Sequence, residues 1–223
     1  MIYSTAIFNI LKIQKLSILL FVFIIACNSH KQQLETFTGE LPRDSLIYLS
    51  HALEEVGKED QVLRRLMGCA RERFGIDSEE MKTFYKVLAK LDSQNVVSLS
   101  KMVDERGWLG ISDIGVEANK SQWLIIQHAK IDLQEKYLPL LRESFNKNES
   151  NGSHLAMLED RILIRKGKKQ IYGTQVKMDP KNGKWYLHPI KDSLNVDKRR
   201  HELGMQTLTE YMNEHNIEFN KPN

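Results

Sequence analysis

Apolar residues recur at three- and four-residue spacing through most of the chain, and the period changes only near its end. Leu46, Leu49, Leu53 and Val56 form one stripe behind a capping Asp44 or Ser45. Leu63, Leu66, Met67, Ala70 and Phe74 predict a second helix over 60–74, stopped by Gly75. Asp77 or Ser78 caps a third, 79–91, with Met81, Phe84, Val87, Leu88 and Leu91 on one face. Helices are also expected over 95–106, 117–128 and 133–145, and from a Ser153 cap to about Arg165. From Gln170 the pattern turns to strand. The runs 170–178 and 184–190 flank Asp-Pro-Lys-Asn-Gly, and a turn ending in Asn-Gly between two such runs predicts a β-hairpin. Short helices over 196–201 and 207–213 follow. The fold class is therefore mainly α, a helical bundle-like domain with one late β-hairpin.

The first residues follow a different logic. Lys12 and Lys15 precede Leu16–Ala26, an apolar run too short to span a bilayer, which takes about 20 residues. A positive region followed by a short apolar core is a secretory signal. It ends in Ile24-Ile25-Ala26-Cys27, which resembles the bacterial lipobox. That resemblance implies cleavage after Ala26 and diacylglycerol attachment to the Cys27 thiol, followed by acylation of its new amine. Two or three acyl chains, at about 0.8 kcal/mol per buried CH₂, hold a protein on a bilayer. Asn28 follows the cysteine where Asp would resemble an inner-membrane retention signal, so the expected place is the cell envelope, on the outer membrane facing the periplasm. The chain then divides into a signal peptide (1–26), a lipidated cysteine with a polar tether (27–43), one mainly helical domain (44–216) and a tail (217–223).

Composition narrows the function classes. The 223 residues are 41% hydrophobic and 27% charged, as in a folded globular protein. Lys+Arg is 32 against Asp+Glu 29, a net charge of +3. Removing the signal, with its two lysines and no acid, brings this to about +1. A nucleic-acid partner is not expected at that balance. Two cysteines rule out a disulfide-dense scaffold and a four-cysteine zinc site. Cys69, in the apolar stretch Leu66-Met67-Gly68-Cys69-Ala70, reads as a buried thiol. No His-Glu-x-x-His pair, phosphate loop or Gly-x-Ser-x-Gly elbow is present, so no metal site and no cofactor are expected.

Several motifs in one order look like a single family. They are Glu59-Asp60-Gln61, Asp92 to Asn95, Glu105-Arg106-Gly107-Trp108, Trp123, Gln127-His128 and the QEKYLPLL run from Gln134. LEDRILIRKGKKQIYGTQ (158–175) and NVDKRRHELGM (195–205) complete the set. Together they resemble the bacterial domain-of-unknown-function family numbered 6624, over about three quarters of the chain. The resemblance implies no activity. The family pattern carries an acid two residues after the histidine. Lys130 stands there in this chain, so either that site is altered or Asp132 takes its place.

The polar residues of these motifs allow three readings. His128 has an ordinary pKa near working pH and suits proton transfer, with Asp132 one helical turn on and Asp160-Arg161 as further candidates. A hydrolase would use His128 as general base, Asp160 or Asp132 to orient it and Arg161 to stabilise an anion. Gln127, Gln134, Gln170 and Gln175 offer donors and acceptors but no base or nucleophile, and Tyr172 could stack on a sugar. These five lean toward a binding or interaction module with a polar cleft between the His128 helix, the Asp160-Arg161 helix and the hairpin. Its partner would be a small molecule, a glycan or a protein, and the membrane would be held through the N-terminal lipid. The third reading is a purely structural envelope protein, with His128 and Asp160 in a buried network. The basic clusters at Arg64-Arg65, at 161–169 and at Lys198-Arg199-Arg200 read as solvated, salt-bridged surface.

Overall fold

A computed structural model describes residues 43–179 and 182–218. The signal peptide, the lipidation site Cys27 and the tether up to residue 42 lie outside the described residues. Those described are mainly α-helical with a small late sheet, as the periodicity predicts. None of their helices is long and apolar enough to cross a membrane. The chain divides into two compact units. Among the described residues, one comprises 43–107 with 113–125, the other 108–112 with 126–218.

In the first unit, helix α1 (Arg43–Phe74) pairs with α2 (Glu79–Arg106). Each joins two segments that the sequence pattern separates. Polar residues between two apolar stripes do not stop a helix when they keep its spacing and include no Pro. Ser78 caps α2 by accepting from the Met81 N–H at 3.1 Å, as its spacing predicts. Leu63, Ala70, Met81, Phe84, Leu88 and Leu91 form the core of this pair. Gly57 lies inside α1, where glycine costs about 1 kcal/mol relative to Ala. It is there because a Cβ at this position would stand 2.1 Å from the Ser121 Oγ. Ser121 belongs to α3 (Ile111–His128), whose backbone is non-helical at Gly115. Cys69 is exposed rather than buried, because it falls outside the inward stripe set by Leu63 and Ala70.

In the second unit, α4 (Ile131–Asn146) packs on α5 (Gly152–Arg165). The cap of α5 is Asn151, not Ser153. The Asn151 side-chain Oδ1 accepts from both the N–H and the hydroxyl of Ser153, at 2.8 and 2.7 Å. Strands β1 (Val176–Met178) and β2 (Trp185–Leu187) form the expected antiparallel hairpin, in register Val176 to Leu187 and Met178 to Trp185. The expected first strand is mostly absent: 170–175 is a loop, and Gln170 forms an isolated parallel bridge with Ile190 outside the strands. Helices α6 (Val196–Glu202) and α7 (Leu208–Glu214) follow. Thr207 and Glu210 cap α7 reciprocally. Residues 217 and 218, expected in a tail, form β3 (Ile217–Glu218), parallel to β2. Leu187, Val196, Leu208 and Ile217 make the small core beneath this sheet.

Candidate functional site

The densest polar construction in the second unit centres on Asp160, on the inner face of α5 and fully buried. Its carboxylate accepts from the backbone N–H of Ile171 at 2.6 Å, of Tyr172 at 3.1 Å and of Thr174 at 3.0 Å, and from the Thr174 hydroxyl at 2.9 Å. Burial pushes its pKa above the ordinary carboxylate value, and these four donors pull the other way. The loop therefore curls around the carboxylate instead of extending as a strand. Gly173 makes the curl possible. Its φ is +72°, and a Cβ would lie 2.8 Å from Leu208 Cδ1.

The remaining polar residues of the motif lock the same loop. The Gln170 amide donates to the carbonyls of Gln175 and His188, at 3.1 and 2.7 Å, and its oxygen accepts from the Gln175 N–H at 2.8 Å. Gln175 Nε2 donates to the Met157 carbonyl at 3.3 Å. Arg161 reaches the Gln175 Oε1 at 3.2 Å and the Gln127 carbonyl at 2.9 Å, tying the loop to the last turn of α3. Gln134 Nε2 donates to that same Gln127 carbonyl at 2.8 Å. Arg165 donates to the Ala129 carbonyl and to the Gln134 Oε1, at 2.7 and 3.0 Å. Three side chains thus satisfy the orphan carbonyls at one helix C-terminus. The Tyr172 hydroxyl lies 3.4 Å from Glu159, and burial with that negative charge pushes its pKa up to about 12.

Structure therefore brings together Gln127, Gln134, Asp160, Arg161, Gln170, Tyr172 and Gln175. His128 closes α3 and is half-buried, whereas Asp132 is exposed in the first turn of α4. Among the described residues, neither Asp160 nor Asp132 shares a hydrogen bond with His128. One side-chain acceptor is left over. Gln127 is 3% exposed, its Nε2 donates to the Met157 carbonyl at 3.3 Å, and its Oε1 accepts no hydrogen bond.

Arg199, Arg200 and Thr174 are the residues that sequence reasoning missed. The run 198–200 is not uniformly surface. Arg200 is 1% exposed and donates to the carbonyls of Tyr172 and Gln206 at 2.8 and 2.7 Å. Burial lowers its pKa, against the opposing pull of Tyr211, Asp197 and Asp160. Arg199 donates to the Ile171, Lys191 and Asp192 carbonyls. A basic triplet on a short helix looks the same whether it faces water or loop carbonyls, so only the fold distinguishes the two.

The first unit carries a second polar construction. Arg64, also expected at the surface, is only partly exposed and donates to Asp60 on its own helix and to Asp92 on α2, with Nη2 at 3.0 and 2.7 Å. Gln61 Nε2 donates to Asp60 at 2.8 Å.

Comparison with known proteins finds a match to the model of a family of unknown function, DUF6624, over residues 49–219. No curated protein and no solved structure matches the chain significantly.

Proposed function

The chain belongs to the family of unknown function DUF6624, and from that footing we propose that it is a lipid-anchored protein of the bacterial cell envelope whose helical domain is a binding or interaction module. The observation that carries the binding reading is the Gln127 oxygen, a buried acceptor among side chains whose other polar groups are committed. Buried acceptors are nearly always satisfied. A ligand that brings an N–H or O–H donor would complete this one, which suits an amide, a glycan hydroxyl or a peptide. Against the hydrolase reading stands Asp160. Its carboxylate accepts from three backbone N–H groups and one hydroxyl, so it serves the loop rather than orienting His128. Anchorage rests on the lysines, the short apolar core and the Ile-Ile-Ala-Cys tetrad ending at Cys27. The outer membrane facing the periplasm is the proposed site.

Two experiments test this. Labelled fatty acid should enter the wild type and not Cys27→Ala, and equal labelling of both ends the lipoprotein reading. A thermal-shift screen of the detergent-solubilised full chain against envelope glycans, peptides and small amides should yield a stabilising compound recovered chemically unchanged. Turnover of such a compound, abolished by His128→Ala at an unchanged melting temperature, would replace binding with hydrolysis.

A further inference from the structure

Leu194 is 95% exposed, more than any other large apolar side chain among the described residues. It sits in the 3₁₀ turn Ser193–Asn195 that leads into α6. This turn is braced. Asp192, just before it, holds a φ of +49°, in the left-handed region that side chains disfavour. Arg199 donates to the carbonyls of Ile171, Lys191 and Asp192 at 3.1, 2.9 and 2.8 Å, and pairs with the Asp192 carboxylate at 3.3 Å. Asn195 Nδ2 donates to the same carboxylate at 2.8 Å. Strain persists only where the surroundings enforce it, and here it fixes a turn whose apolar side chain points into water. A singly exposed leucine is ordinary on a protein surface. Its charged surroundings are not.

Lys168, Lys169, Lys191 and Lys198 are exposed, and none has an ion pair or side-chain hydrogen bond among the described residues. Gln170 bridges to Ile190, and its carbonyl accepts from the Lys191 N–H at 2.8 Å, so Lys169 and Lys191 flank one bridge. Lys191 stands three residues before Leu194 and Lys198 four after it, one turn to either side. The acids of the same stretch are committed, Asp192 to Arg199 and Asn195, and Asp197 to the Leu208 N–H at 2.7 Å. The patch therefore carries uncompensated positive charge around one apolar tip.

The geometry points to a contact surface for an anionic phospholipid bilayer, with Leu194 entering the acyl boundary and the lysines meeting the headgroup phosphates. Interfacial binding adds buried apolar area to attraction for anionic lipid, and this patch supplies both. Lysine stems are long enough to lie along an apolar layer while their ammonium groups stay among the phosphates. A soluble polyanion would use the lysines and leave Leu194 in water. The contact does not depend on a lipid at Cys27.

The test places the polarity-sensitive fluorophore NBD on Leu194→Cys in the full chain carrying Cys69→Ser, with the Cys69→Ser chain alone as the blank. The protein is reconstituted with vesicles of phosphatidylcholine, or of phosphatidylcholine and phosphatidylglycerol in equal parts. Emission should rise at least twofold on the anionic vesicles over the neutral ones. The rise should vanish at high salt and in the labelled chain carrying Lys168→Glu, Lys169→Glu and Lys191→Glu with unchanged helical circular dichroism. NBD on Thr83→Cys, an exposed position of α2, should show no rise. Equal emission on both vesicles, an equal rise at Thr83, or a rise that survives charge reversal overturns the proposal. So does binding of polyglutamate through the same lysines while the label at 194 stays in water on phosphatidylglycerol, which would make the partner an acidic protein. Flotation with the vesicles reports anchorage separately, so a chain that floats with this label in water overturns the contact and leaves the lipoprotein reading standing.

Discussion

Asp160 and Asp60 are both buried carboxylates, 0% and 5% exposed, yet they are satisfied in opposite ways. Asp160 is held mainly by backbone N–H groups from a loop 11 to 14 residues downstream. Those donors are fixed once the loop is folded, so the carboxylate is part of the architecture. Asp60 accepts from the side chains of Gln61 and Arg64, and Arg64 also donates to Asp92 on another helix. Side-chain donors can exchange with another partner without unfolding anything. Burial alone thus does not mark a carboxylate as functional. What matters is whether its partners can leave.

The sharpest way to break this contrast is at Asp160. Asp160→Asn puts an NH₂ against N–H donors and should cost about 3 kcal/mol in urea unfolding. A loss below about 1 kcal/mol would mean that the loop does not depend on the carboxylate. Gly173→Ala strikes the same loop from the backbone side. With φ at +72° and Leu208 Cδ1 2.8 Å from the new methyl, it should cost about 2 kcal/mol and shift the amide resonances of 170–175. Asp92→Asn is expected to cost less, about 1 kcal/mol, because its pair with Arg64 is partly exposed. If it costs as much as Asp160→Asn, the two clusters are alike and the distinction fails.

The smallest effect sharpens the description of the loop's surroundings. The Tyr172 phenol is pushed up to about 12 in the folded chain, against about 10 when unfolded. As pH rises above 10, the unfolded chain loses that proton first. Stability should therefore fall between pH 10 and 12, and Tyr172→Phe should lack that part of the fall. Parallel pH curves for the two proteins would place the phenol in water.

Much of the fold was legible because helix periodicity is local. The stripes, the Ser78 cap, the Thr207 start and the Asn-Gly turn all depend on residues within a few positions of one another. Helix continuity was less so. Asp92-Ser93-Gln94-Asn95 reads as a gap between two apolar stripes, yet α2 runs through it, with Asn95 buried and Asp92 paired to Arg64 of α1. The same blindness hid Arg64 and Arg200, whose surroundings are assembled by distant segments.

By itself, then, the sequence determined the fold class, the family and the resemblance of its first residues to a lipoprotein signal, since each is written in short-range pattern. Tertiary structure alone decided which polar residues have committed partners. The Asp160 motif reads equally well as a catalytic group or a scaffold until residues 171–174 curl back onto it. Whether a buried charge is spent or available depends on donors whose positions no local pattern encodes.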